Sequence, residues 1–351
     1  MNSKEIKKIT VNASKNYDIL IANGIFSDIG QIFKTKFKPC KIAIITDDTV
    51  DKLYAGDIKK DLENNGFSVC KFVFMHGEER KNIDTYSKIL GFLATEQLTR
   101  SDLIIALGGG VVGDIAGFSA STFLRGIRFV QIPTTLLAQI DSSVGGKTAI
   151  DLKEGKNLVG AFYQPELVIC DPLLLNTLPK EVFDDGLGEG IKYAILDEKI
   201  FSLIEKDFDL SQFIFLSIDY KRRIVEQDEF EKGNRKFLNL GHTIAHGIEK
   251  LSNYKISHGK AVAMGIYIIL KTSEKNGLLS KEIRENIELT IQKLLPKVDM
   301  ESAIYSLSDI LECALFDKKR TGDNLDLVMI KDVGKITIER IKIDSLMEYF
   351  L

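Results

Sequence analysis

A chain of 351 residues is long for one domain and comfortable for two, each able to bury its own core. Hydrophobic residues make up 44% and charged residues 28%, and the formal net charge is -3. This is ordinary globular composition, and it leaves no basic field for nucleic acid or an anionic membrane. Any anion site must therefore come from a local cluster of Lys and Arg. Cys40, Cys70, Cys170 and Cys313 are scattered, with no C-x-x-C pair. That spacing predicts reduced thiols and a cytoplasmic location, not a disulfide framework or a cysteine zinc site. "MNSKEIKKITVNASKNYD" has no apolar core segment, so no signal peptide is expected. The longest apolar run, "AVAMGIYIIL", is too short for a bilayer, which needs roughly 20 residues.

In chain order, "KIAIIT" (Lys41–Thr46) and "SVCKFVFM" (Ser68–Met75) read as strands. "NIDTYSKILGFLATEQL" (Asn82–Leu98) has helical period. Asp102–Gly110, Ile127–Pro133 and Glu166–Asp171 read as further strands. Apolar strands alternating with helices predict an α/β N-terminal nucleotide-binding domain with a mostly parallel sheet, covered on both faces. From Lys180 to about Leu315 the period is helical, and a short hairpin follows around Val333-Gly334. The expected architecture is thus an α/β domain over 1–176 and a mainly α-helical C-terminal domain over 177–351.

"LIIALGGGVVGDIAG" places Gly108, Gly110 and Gly113 in G-x-G-x-x-G spacing directly after a strand. Such glycines let the backbone approach a pyrophosphate, which the next helix would hold at its N-terminus; they also make ordinary tight turns. The usual acidic residue is missing from the end of the following strand, which closes on Pro133-Thr134-Thr135. Asp47 and Asp48 could serve that role instead. "SVGGKT" (Ser143–Thr148) is not a P-loop, because Asp141 stands where the first glycine is needed. Asp141, Lys147, Lys156 and Asn157 crowd polar groups beside Gly145, Gly146 and Gly155, either as a solvated surface loop or as a phosphate or hydroxyl site.

Three of the four histidines fall between Asn239 and Gly265. His242 and His246 are spaced i, i+4 on a predicted helix and share a face, so spacing alone makes them the obvious metal pair. His258 follows after a turn that would let a second helix fold back. Two imidazoles with a carboxylate make a catalytic zinc set with an open position. Thr243 after His242 excludes H-E-x-x-H. Glu189, between two glycines, has no pattern to distinguish it from Asp184 or Asp185. Among the basic residues, Arg235 lies along a face from Asn239 and His242 and could hold a carboxylate or phosphate bidentately.

"GGGVVGDIAGFSASTFLRGI", "IPTTLLAQIDSSVGGKTAID", "GKNLVGAFYQP", "GEGIKYA" and "NLGHTIAHGIE…SHGKAVAMG", in this order and spacing, resemble the 3-dehydroquinate synthases. The resemblance runs from about Asp47 to Lys319. It implies conversion of 3-deoxy-D-arabino-heptulosonate 7-phosphate to 3-dehydroquinate and phosphate, a step of aromatic amino acid biosynthesis. The route is transient oxidation by bound NAD, phosphate elimination, re-reduction and an intramolecular aldol. A divalent metal is also implied, zinc before cobalt, with Glu189, His242 and His258 as ligands. His246 becomes a neighbour on the catalytic or phosphate side.

The same resemblance assigns the NAD contacts to Asp47, Glu78, Lys81, Gly110, Val111, Val112, Gly113, Asp114, Thr134, Thr135, Leu174, Leu175, Asn176 and Thr177. Asp141, Lys147 and Lys156 are assigned to both cofactor and substrate. The remaining substrate contacts are Asn157, Lys192, Lys221, Arg235, Asn239, His246 and one of Lys318 and Lys319. Lys147, Lys192, Arg235, Asn239 and His246 are the catalytic candidates. Arg125 is expected to reach the partner's site in a homodimer. The partner molecule is a phosphorylated sugar acid; neither nucleic acid nor membrane is expected. Lys192, Arg235 and Asn239 favour this reaction over that of inosose- or valiolone-forming cyclases. Lys147, Lys156 and Arg235 favour a phosphorylated acid over a neutral polyol.

Overall fold

The computed structural model describes residues 5–295, 305–316 and 323–350. The chain divides into two compact units, Met1–Leu178 with Lys221–Glu229, and Pro179–Tyr220 with Phe230–Leu351.

The first unit is built on a seven-stranded sheet. Its strands are β1 (Lys7–Val11), β2 (Tyr17–Ile21), β3 (Lys41–Asp47), β4 (Ser68–Phe74), β5 (Leu103–Gly108) and β6 (Arg128–Pro133). A separate hairpin, β7 (Lys147–Leu152) with β8 (Gly155–Phe162), precedes the last sheet strand, β9 (Leu167–Cys170). The sheet order is β1-β2-β9-β6-β5-β3-β4. β1 and β2 pair antiparallel and all other neighbours pair parallel.

The central strands are buried on both faces, which is why β3 and β5 read as continuous apolar runs. Side chains alternate between two cores. Ile42, Ile44, Leu103, Ile105 and Ile132 face one, with Phe33 and Leu62 from covering helices. Ala43, Ile45, Ile104, Ala106 and Phe129 face the other, with Ile89, Leu93 and Ile115. Asn82 starts the Ile83–Thr95 helix by accepting the Thr85 N–H at 3.0 Å, a side-chain cap.

Because these strands are parallel, their carboxyl ends share one edge. After β3 the chain moves outward to β4, and after β5 it moves the other way to β6. This reversal between β3 and β5 is a topological switch point, where open α/β sheets bind ligands.

The second unit is helical. It contains the helices Lys180–Leu196, Glu198–Lys206, His242–Leu251, His258–Lys275, Lys281–Leu294 and Leu307–Phe316. β10 (Asn324–Asp332) and β11 (Lys335–Lys342) close it as an antiparallel hairpin. Glycines set its tightest crossings. A Cβ on Gly188 would lie 2.1 Å from the Gly259 carbonyl oxygen, and one on Gly259 would lie 1.7 Å from that of Asp185. The Lys180–Leu196 and His258–Lys275 helices therefore touch backbone to backbone. Gly265 likewise meets the Gly241 carbonyl, and Gly241 has φ 77°, which favours glycine.

Three features differ from the sequence expectations. The β1–β2 hairpin extends the sheet upstream of the first strand read there. The Ser143–Thr148 stretch leads into the β7–β8 hairpin instead of remaining a loop. Its β8 side is half-exposed and carries three of the chain's glycines and lysines in its first six residues, so it gives a weak strand signal. Lys221–Glu229 belongs with the first unit, so the second is not contiguous. Glu226 accepts the Asn12 backbone N–H at 2.8 Å, and Glu229 accepts those of Ser14 at 2.7 Å and the Gln164 amide at 2.8 Å.

Candidate functional site

The carboxyl edge of the first unit gathers residues that are dispersed in sequence. Asp47 ends β3 and accepts the Thr49 and Val50 N–H groups, each at 2.9 Å. Gly110, Val111, Val112 and Gly113 form the first turn of the Gly110–Thr122 helix, which no side chain caps. The glycines here serve close packing: a Cβ on Gly108 would lie 2.5 Å from Val112, and one on Gly110 would lie 3.2 Å from Ser142 Oγ. Thr134 and Thr135 follow β6; the Thr134 hydroxyl is buried without a hydrogen-bond partner, and Thr135 Oγ1 accepts the Ala138 N–H at 3.2 Å. Leu174, Leu175, Asn176 and Thr177 lie on the 3-10 turn after β9, where Tyr54 Oη donates to the Leu174 carbonyl at 3.0 Å.

A charged cluster stands beside that edge. The buried Lys81 ammonium lies 3.0 Å from Glu78, 3.3 Å from Asp114 and 3.7 Å from Asp151, and donates to Asn157 Oδ1 at 2.8 Å. Burial acts to lower the Lys81 pKa, but these carboxylates hold it above the ordinary lysine value. Burial pushes the Asp114 carboxyl up to about 6 despite Lys81. Lys156 lies 3.8 Å from Glu78. Asn157 has φ 57° and is held there by Asp151, whose Oδ1 accepts its N–H at 2.7 Å. Asp151 was not singled out in the sequence; only the fold of the β7–β8 hairpin shows its part. Lys221 lies 3.0 Å from Asp141 Oδ1. Lys147 opens β7, and the exposed Arg125 has φ 65°.

In the second unit, Glu189, His242 and His258 each offer one ligand atom, all within 4.8 Å of one another. Glu189 is 1% exposed. Its Oε1 is bound by the Lys192 ammonium, one turn along the same helix. Its Oε2 is buried without a hydrogen-bond partner, 3.8 Å from His242 Nε2 and 3.9 Å from His258 Nε2. The opposite ring nitrogens are anchored: His242 Nδ1 lies 3.1 Å from the Leu240 carbonyl and His258 Nδ1 lies 3.3 Å from Glu249. An Nδ1–H donated to these oxygens leaves both Nε2 lone pairs beside the orphaned carboxylate oxygen, which is the donor set a divalent cation takes.

Burial, then the charges of Lys192 and the neighbouring histidines, hold the His242 pKa well below its ordinary value. It is therefore a neutral imidazole, the form that ligates metal. Burial acts to lower His258 as well, but the hydrogen bond to Glu249 and the charges of Glu189, Glu249 and Asp185 raise it.

His246 is close but differently placed. Its ring lies 5.8 Å from that of His242 and 6.4 Å from that of His258, and it is exposed. It does not join the 4.8 Å set, so the pair suggested by i, i+4 spacing is not the one brought together. One helical turn moves it along the axis, whereas the fold-back after Leu251 brings His258 in. Arg235 is 1% exposed, and Asn239 Nδ2 donates to Glu231 at 2.9 Å. Lys318 and Lys319 lie outside the described residues.

The fold has structural counterparts. A 2-deoxy-scyllo-inosose synthase complexed with carbaglucose-6-phosphate, NAD+ and Co2+ matches with a TM-score of 0.87 at 24% identity, over 98% of this chain and 99% of that one. The 2-epi-5-epi-valiolone synthase of Streptomyces hygroscopicus, with NAD+ and Zn2+ bound, matches with a TM-score of 0.85 at 22% identity, over 98% of both chains. An iron-containing alcohol dehydrogenase matches less closely, at 0.64. The fold is thus shared with these two synthases and, more distantly, with that dehydrogenase.

Sequence narrows this further. The 3-dehydroquinate synthase N-terminal family model matches residues 71–185, and the C-terminal model matches residues 186–320. The 3-dehydroquinate synthase of Streptococcus pneumoniae is 43% identical over 345 residues, 95% of this chain and 97% of that protein. That of Clostridium acetobutylicum is 43% identical over 355 residues, 98% of this chain and 99% of that protein. The chain belongs to the 3-dehydroquinate synthase family.

Proposed function

We propose that this chain converts 3-deoxy-D-arabino-heptulosonate 7-phosphate to 3-dehydroquinate and phosphate, with NAD and a divalent metal, zinc or cobalt, as resident cofactors. The observation that carries the reading is the Glu189–His242–His258 set, with its orphaned carboxylate oxygen facing two imidazole Nε2 atoms. The first unit fits a dinucleotide at its switch point. There a helix start free of side-chain caps and three close-packed glycines follow β5, and a carboxylate ends β3.

Bound in these places, a metal would polarise a substrate hydroxyl and a nicotinamide would take up and return its hydride. The chain supplies the rest. Glu189 and neutral His242 hold their ligand atoms in place because Lys192 and the Leu240 carbonyl fix their far sides. Lys192 and Arg235, both buried, present cationic donors where hydration is weak and an anion is held strongly. We assign Asn239 and His246 to orienting the substrate. In the first unit, Asp141, Lys147, Lys156, Asn157 and Lys221 are assigned to substrate and cofactor, and Glu78, Lys81 and Asp114 to the cofactor. Fixed orientation of one flexible substrate through several bond changes is the main service of such a site.

We further propose a cytoplasmic homodimer in which the exposed Arg125 reaches the partner's site. All four cysteines are free, which suits a reducing compartment. Among the described residues, no helix is long and apolar enough to cross a membrane.

The test is phosphate release from the heptulosonate phosphate with catalytic NAD and zinc, with absorbance at the NADH band followed in parallel. Stoichiometric phosphate without accumulated NADH is the expected result. Net NADH would instead identify a dehydrogenase.

A further inference from the structure

Glu249 is a buried carboxylate that neither the ligand set nor the substrate contacts use. It lies on the His242–Leu251 helix, two turns after His242, and is 4% exposed. Burying a carboxylate is costly unless its charge is used. Its Oε2 lies 3.3 Å from His258 Nδ1. Because a carboxylate only accepts, Nδ1 carries the proton in this contact. The His258 Nε2 lone pair is then the atom beside Glu189.

The backbone of the same residue works on the same target. The Glu249 carbonyl accepts the Tyr254 N–H at 2.7 Å and the Ser252 hydroxyl at 2.8 Å. Asn253 and Tyr254 have φ 50° and 59°, a conformation that non-glycine residues adopt at a cost. The tight fold-back that delivers His258 is therefore secured at Glu249. Beyond it, Asp185 Oδ1 accepts the Gly259 N–H at 2.7 Å and fixes the start of the His258–Lys275 helix. His258 is the ligand that comes from after the turn, and it is the one of the two histidines whose ring is anchored by a carboxylate.

We propose that Glu249 is a positioning residue of the metal centre, which holds His258 in the tautomer and ring orientation that ligate and strengthens it as a donor. The inference rests on the metal assignment made above. Carboxylate–histidine–metal relays of this kind are worth about 10–100-fold in metal affinity.

The test measures zinc itself, without turnover. Full-length wild-type protein, Glu249→Gln and Glu249→Ala are stripped of metal and titrated with Zn2+ against a competing chelating dye. The Tm of each metal-free protein is recorded alongside. We expect Kd to rise by about 10–100-fold in Glu249→Ala, and less in Glu249→Gln, whose amide oxygen still accepts the Nδ1–H without the charge. The visible spectrum of bound Co2+ should shift in both. A purely structural role would lower the metal-free Tm and leave the Kd of the folded protein unchanged. That result overturns the proposal, and the isosteric Glu249→Gln decides it if Glu249→Ala does not fold. If wild-type protein takes up no Zn2+, the metal assignment falls, and this inference with it.

Discussion

The glycines of the two units do different work. From the last residue of β5, Gly108, Gly110 and Gly113 follow one another in a local strand–turn–helix, and their spacing can be read in a window of six residues. In the helical unit, Gly188 and Gly259 meet from helices some seventy positions apart, and neither carries a local signal. The first kind of site is built by chain succession and the second by a tertiary crossing. A sequence discloses the first more readily than the second.

The largest expected effect lies at the crossing's product. Glu189→Ala should abolish turnover and zinc uptake. It also removes the carboxylate bound to the buried Lys192 ammonium, so stability should fall by about 3–5 kcal/mol in denaturant titration. Glu189→Gln, which keeps the shape, should lose the metal with a smaller stability cost.

Alanine at each kind of glycine tests the contrast itself. Gly188→Ala drives a methyl into a backbone carbonyl that cannot turn away, so it should cost about 1–3 kcal/mol or more and weaken zinc binding through displaced helices. Gly110→Ala meets the rotatable Ser142 hydroxyl at 3.2 Å and otherwise makes ordinary contacts with Ser142 Cβ at 3.7 Å and Leu137 at 3.8 Å, so Tm should change little while NAD affinity falls. Equal stability losses in the two variants would erase the distinction.

Arg235→Ala should raise KM for the anionic substrate far more than it raises the Kd of NAD, as measured by steady-state kinetics and calorimetry. The smallest effect is on the terminal hairpin. Hydrogen bonds from Arg340 and then Lys236 hold the Asp326 pKa at about 2, below its ordinary 3.8. A carboxylate depressed in this way stabilises the fold above the ordinary value and loses that contribution as pH falls towards 2. Tm should therefore drop slightly between pH 4 and pH 2, less so in Asp326→Asn and at high salt.

Much of the α/β unit was legible because β3, β5, β6 and β9 are short apolar runs bounded by turns, and a buried parallel strand needs nothing else. The β7–β8 hairpin was not, because β8 opens on Gly155, Lys156 and Asn157, has a second glycine at Gly160, and exposes Leu158 and Phe162, so no apolar alternation marks it. Glu189 had no more claim than Asp184 by pattern; only the family resemblance chose it. Glu249 and Asp151 were invisible, since each acts by holding another residue across a fold-back that sequence spacing does not encode.

The i, i+4 histidine is where local pattern and tertiary placement disagree most sharply. Zinc content per chain, measured by elemental analysis on purified His246→Ala and His258→Ala, tests the central claim directly. About one zinc per chain is expected in His246→Ala and essentially none in His258→Ala. Loss of zinc from His246→Ala with retention in His258→Ala would contradict that claim.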